Sequence, residues 1–188
     1  LNPDHTSAYS NMGLALNEIG KSEGAIEAYN KAISLNPNDF DPYNNRGLAL
    51  EKLGKLDDAI VSYNKALALN PDSAETYNNI GIVLKDQNKL DEAIETFNQA
   101  LALNPEFPEA YNNMGTTLLE LDKPNEAIKA FYKAISLKVD YPDAFHNLSF
   151  AQLAMENWEE GIPLQEWRWK TKKWGKIKKT NNIPEWDG

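Results

Sequence analysis

Tyr77-Asn78-Asn79-Ile80-Gly81 decides how the remaining residues are read, because this stretch returns every 34 residues. Tyr9-Ser10-Asn11-Met12-Gly13 and Tyr43-Asn44-Asn45-Arg46-Gly47 precede it, and Tyr111-Asn112-Asn113-Met114-Gly115 follows. Phe145-His146-Asn147-Leu148-Ser149 is a blurred fifth copy. The central asparagine is the same in all of them: Asn11, Asn45, Asn79, Asn113 and Asn147.

Working outward from Tyr77, apolar residues fall at Tyr77, Ile80, Gly81 and Leu84. That spacing places them on one face of an amphipathic helix over about 74–86. Gln87-Asn88-Lys89 interrupts it, as Gly20, Gly54 and Asp122 do at the matching places, and such residues suit the left-handed turn that closes a helix. Leu90, Ala93, Ile94, Phe97, Ala100 and Leu101 predict a second helix over about 90–103. Asn104-Pro105 ends it, since the residue before proline is pushed out of helical geometry. Each repeat therefore reads as helix–turn–helix with a proline stop, giving an all-α chain. Gly13, Gly47, Gly81 and Gly115 lie inside first helices, where glycine costs about 1 kcal/mol relative to alanine. A close approach of the second helix, with Ala25, Ala59, Ala93 and Ala127 opposite, is the expected reason.

The repeats divide the chain into 6–39, 40–73, 74–107 and 108–141, with 1–5 resembling the end of a preceding repeat. The fourth lacks the closing proline and carries Val139 instead. Residues 142–169 form a degenerate fifth copy in which Ser149 replaces glycine, Gln152 replaces leucine and Gly161 replaces alanine. Pro163 is expected in the first turn of its second helix. Capping of the stack is the expected role, and 170–188 reads as a basic, tryptophan-containing connector.

The net charge of −9 is unevenly distributed. Residues 1–167 carry 12 basic and 26 acidic side chains, whereas 168–188 carry 7 basic and 2 acidic. So acidic an array is a poor match to nucleic acid, whose binding rests on lysine and arginine at phosphates. The basic tail is expected to make structural or interdomain contacts, its tryptophans packing on the last repeat, rather than to bind RNA or lipid. No apolar run is long enough to span a membrane. There is no cysteine, which rules out thiol chemistry and suits a reducing, cytoplasmic location. His5 and His146 are the only histidines, and neither has a second ligand at metal spacing. No nucleophile–base set or phosphate loop emerges, so no catalytic residue, metal or cofactor is assigned.

The order aromatic, x2, apolar-Gly, x2, Leu, then Ala, x3, Tyr/Phe, x2, Ala, then Pro resembles the tetratricopeptide repeat (TPR) over 1–141. That resemblance implies a right-handed superhelical solenoid whose first helices line a concave groove. Offsets 2, 6, 9 and 13 of each repeat would face it: Glu75, Asn79, Ile82 and Asp86 in the third. Asparagine offers a donor and an acceptor on one short side chain, so it can pair with a peptide backbone whatever that peptide's side chains are. The residues alone leave open a second reading, that Asn tunes contacts between neighbouring first helices. The array of the O-linked N-acetylglucosamine transferases carries Asn at this offset, and that likeness implies an asparagine ladder of Asn11, Asn45, Asn79, Asn113 and Asn147. Asn44, Asn78 and Asn112 stand beside it. Asp41, Glu75, Glu109 and Asp143 edge the same groove. They would favour a basic partner or simply complement helix N-termini.

The expected function is thus a protein–protein interaction scaffold for extended polypeptide. The tail, with Glu166-Trp167-Arg168-Trp169 and Pro184-Glu185-Trp186-Asp187-Gly188, resembles bacterial proteins in which such an array precedes a glycosyltransferase-like domain. The alternative it implies is a substrate-presenting arm whose catalytic domain lies outside this chain. Self-association through the apolar ends is a third expectation.

Overall fold

The computed structural model describes residues 3–165 and 167, with side chains from His5 onward. Among them the chain is all-helical. Its helices are α1 (Pro3–Glu18), α2 (Ser22–Leu35), α3 (Asp41–Lys52), α4 (Leu56–Leu69), α5 (Ala74–Asp86), α6 (Leu90–Leu103), α7 (Pro108–Glu120), α8 (Pro124–Leu137), α9 (Pro142–Ala154) and α10 (Trp158–Leu164). They form two compact units, Leu1–Asn104 with α1 to α6 and Pro105–Gly188 with α7 to α10. In the first unit each helix packs on the next, and α1, α3 and α5 also lie side by side. In the second, α7 to α10 pack in succession and α7 lies beside α9.

The first helices end as the turn residues predict. Gly20 and Gly54 have φ of 76° and 71°, and Asn88, Asp122 and Glu156 hold the same left-handed place at 57–60°. One residue later an N–H reaches back to close the turn: Lys21 to Leu16 O, Lys55 to Leu50 O, Lys89 to Leu84 O, Lys123 to Leu118 O and Asn157 to Gln152 O, at 2.8–2.9 Å. The second helices α2, α4 and α6 end at the extended residues Asn36, Asn70 and Asn104, each before a proline. Helix α8 ends the same way at Lys138 although Val139 follows, so the stop survives loss of the ring.

The mid-helix glycines receive rings rather than alanines. A Cβ on Gly13, Gly81 or Gly115 would stand 2.5 Å from a ring carbon of Tyr29, Phe97 or Phe131, and one on Gly47 would press on Tyr63. All four rings are fully buried. The expectation of facing alanines is therefore corrected. Ala25, Ala59, Ala93 and Ala127 are buried too, but the nearest group to each glycine is the aromatic one helical turn further on.

The fifth copy is rewired rather than decayed. Ser149, where the others have glycine, donates its hydroxyl to Gly161 O at 2.7 Å. Gln152 is buried and donates to Glu160 Oε2 (2.6 Å) and the Tyr132 hydroxyl (3.2 Å), while its own oxygen accepts from Asn157 Nδ2. Gly161 passes so close to Leu153 that a Cβ would meet its side chain at 2.7 Å. Pro163 lies beyond the first turn of α10, contrary to expectation, since the helix starts at Trp158 and has only 7 residues. Trp167, within the fifth copy, stacks on Phe145 at 4.0 Å between centroids. The basic stretch from Arg168 and the connector 170–188 lie outside the described residues.

Candidate functional site

In the first unit Asn11 sits exposed on α1 and Asn45 half-buried on the neighbouring α3. Neither side-chain amide makes a hydrogen bond among the described residues. Asn79 on α5 is 7% exposed, and its Nδ2 is buried with no partner. In the second unit Asn113 on α7 and Asn147 on α9 are half-buried, and Asn147 Nδ2 donates to Asn112 Oδ1 at 3.0 Å.

The adjacent column behaves differently. Asn44, Asn78 and Asn112 are all buried. Asn44 Oδ1 accepts from Thr76 Oγ1 at 3.0 Å, tying α3 to α5, just as Asn112 is tied to α9. On α3 one position thus separates an amide held between first helices, Asn44, from one left unspent, Asn45, whereas on α9 the ladder residue Asn147 is itself held to Asn112.

The acidic column is mixed. Asp41, Glu75 and Asp143 are exposed. Shielding from water, and then the charge of Asp39, push the Asp41 carboxyl above its ordinary range. Glu109 forms an ion pair with Lys138 at 2.8 Å. Desolvation alone would raise its carboxyl, but the Lys138 hydrogen bond and charge outweigh that and hold it below the usual range.

One cavity of about 370 Å³ gathers several of these groups in the first unit, lined by Ser7, Ser10, Asn11, Leu14, Asp39, Asp41 and Asn45. It brings together Asn11, Asn45 and Asp41 from the sequence reading and adds four residues that reading missed. Asp39 was detectable in principle, because its counterparts are Ser73, Phe107 and Tyr141. Among the described residues no His, Asp and Glu group gathers as a metal site, and no helix is long and apolar enough to cross a membrane.

Family models of the TPR repeat match residues 13–54, and models of the tetratricopeptide repeat match 39–106 and 78–144. Comparison with curated proteins gives no match. Several solved structures share the fold. That of Pseudomonas aeruginosa pilF has a TM-score of 0.81 at 23% identity, over 87% of this chain and 75% of that one. MamA from Desulfovibrio magneticus RS-1 gives 0.73 at 20%, over 96% and 98%. A thermophilic TPR protein of Thermus thermophilus gives 0.76 at 18%, over 93% and 95%. Identities this low speak to fold alone. With the recurring glycine–ring pairs and left-handed turns, these matches make the chain a member of the tetratricopeptide repeat family, an all-α repeat scaffold for protein interaction.

Proposed function

We propose that the chain holds extended polypeptide on the first-helix face of each unit, through Asn11, Asn45 and Asn79 in the first and Asn113 and Asn147 in the second. The acidic column would favour a basic segment, and no catalysis is assigned to this chain. The observation that carries the reading is the unspent hydrogen-bonding capacity of Asn79, whose buried Nδ2 has no partner. Leaving such a donor unpaired costs about 1–3 kcal/mol, which a ligand carbonyl would recover once the amide turns outward from its buried position. Asn11 and Asn45 likewise keep their amides unspent among the described residues. Peptides selected from a displayed random library against the native chain would test this. Asn45→Ala and Asn79→Ala should each weaken them about three- to ten-fold, with the helical CD signal unchanged. Failure of any peptide to enrich, or indifference of enriched peptides to both changes, overturns the reading.

The arm of a glycosyltransferase remains the alternative, supported only by the likeness of the tail. Sequence following Gly188 in a parent gene is its test.

Self-association is favoured by one observation. Ala8, Met12, Ala15 and Ile19 form an exposed stripe on α1. A second copy pairing through α1 would cover the stripe. Sedimentation should then show a concentration-dependent dimer that Ala15→Glu abolishes, and a strict monomer rules this reading out.

A further inference from the structure

We propose that the cavity between α1 and the Asp39–Asp41 turn is a subsite for one lysine or arginine side chain of the bound polypeptide. This rests on the groove reading above and deepens it. The lining is chemically divided. Asp39 and Asp41 supply two carboxylates, Leu14 an exposed apolar surface, and Asn11 and Asn45 two unspent amides. No lysine, arginine or histidine lines the cavity, and neither carboxylate forms an ion pair among the described residues.

A separate observation points to a ligand. Ser10 lines the same space, and its hydroxyl, turned inward and buried, has no hydrogen-bond partner. Asp39 stands where Ser73 caps α5, and Phe40 after it is already helical, so one of its oxygens is spent on the start of α3. That oxygen, Oδ1, accepts the Asp41 N–H at 3.3 Å, which fixes the two acidic residues as neighbours. Asp39 also departs from the repeat, whose other copies place serine or an aromatic there. Two like charges held close repel each other, and a cation between them removes that cost. The aliphatic stem of lysine or arginine would lie on Leu14 while its charged end meets the carboxylates. The volume of about 370 Å³ lies within the usual range of small-ligand sites, larger than one ion needs. The two asparagines would hold the peptide backbone on either side.

The library-selected peptides provide the test. Binders of the native chain should share a lysine or arginine at one register. Replacing it by norleucine should weaken binding about five-fold, and the Asp39→Asn, Asp41→Asn double variant should abolish that difference. Asn45→Ala should weaken the lysine and norleucine peptides alike. Equal binding of the two peptides, with both still sensitive to Asn45→Ala, overturns the subsite and leaves the groove reading standing. If no peptide enriches, the groove reading falls, and N-acetyl-lysine N-methylamide alone decides the subsite. It should shift the Asn45 side-chain amide resonance in the native chain, whereas its norleucine analogue should not. No shift overturns the proposal. So does a shift produced by calcium chloride at lower concentration than by the lysine derivative, since the site would then be a metal site.

Discussion

At the residue scale, Tyr29 and Tyr63 occupy equivalent places with opposite consequences. Both are fully buried beneath a glycine. The Tyr63 hydroxyl donates to Glu51 Oε2 at 3.0 Å, whereas the Tyr29 hydroxyl has no partner, because Asn17 stands where Glu51 does and accepts from Ser22 instead. Burial, then the charge of Glu18, push the Tyr29 phenol up to about 12. Tyr29→Phe should raise stability by about 1 kcal/mol, since it removes an unsatisfied buried group, and Tyr63→Phe should lower it by about 1–2 kcal/mol. Thermal melts followed by CD would show the opposite signs. The Tyr63→Phe loss should also depend on pH. Burial raises the Glu51 carboxyl above its ordinary range in the folded state, against the opposing Tyr63 hydrogen bond. A raised carboxyl costs stability while ionised and regains it as pH falls through the folded pKa, so the penalty should shrink on acidification. The asparagines show what a sequence can convey at this scale. Asn44 and Asn45 are adjacent and chemically identical, and the 34-residue recurrence marks both columns equally. Only the packing of α3 on α5 assigns Asn44 to Thr76 and leaves Asn45 unspent.

At the scale of the helix, the turn chemistry explains why the elements were so legible. The period of apolar residues and the turn at 87–89 place α5 and α6 at Ala74–Asp86 and Leu90–Leu103, the spans predicted. The same reasoning failed at α10, where Pro163 suggested a first turn but the closing turn at Glu156 fixes an earlier start. It also misassigned the partner of each glycine, because recurrence shows that something small is needed but helix crossing decides what fills the space. Two substitutions in the fifth copy, both toward the residues of the other copies, should have opposite effects. Glu156→Gly relieves a left-handed glutamate at φ 60° and should add about 0.5–1 kcal/mol. Gln152→Leu restores an apolar position but leaves Glu160, Tyr132 and Asn157 without their shared partner, and should cost about 1–2 kcal/mol. Urea midpoints at constant m-value would read both.

At the scale of the whole chain, the helices of each unit pack on their sequence neighbours and on the first helix of the next repeat. Stability is then close to a sum of repeat and interface contributions. Removing residues 56–89, which joins Lys55 to Leu90, should leave a cooperatively folding protein with a lower melting temperature. It pairs Gly47 with Phe97, and a differential scanning calorimetry trace with one transition would confirm it. The cavity at Asp39 lies outside the deleted span. It was the least legible feature, because it arises where one repeat departs from the pattern that made the others readable. The glycine–ring fit has a consequence for heredity. Tyrosine and phenylalanine rings enter the notch alike, so unequal crossing-over between out-of-register copies of the gene leaves each ring a notch wherever the exchange falls within the first four repeats. The fifth copy breaks this interchangeability, with Ser149 in place of the notch and Gln165 in place of the ring. A recombinant that moved either half of it inward would inherit a void or a clash, so exchange among the first four repeats is what this packing tolerates.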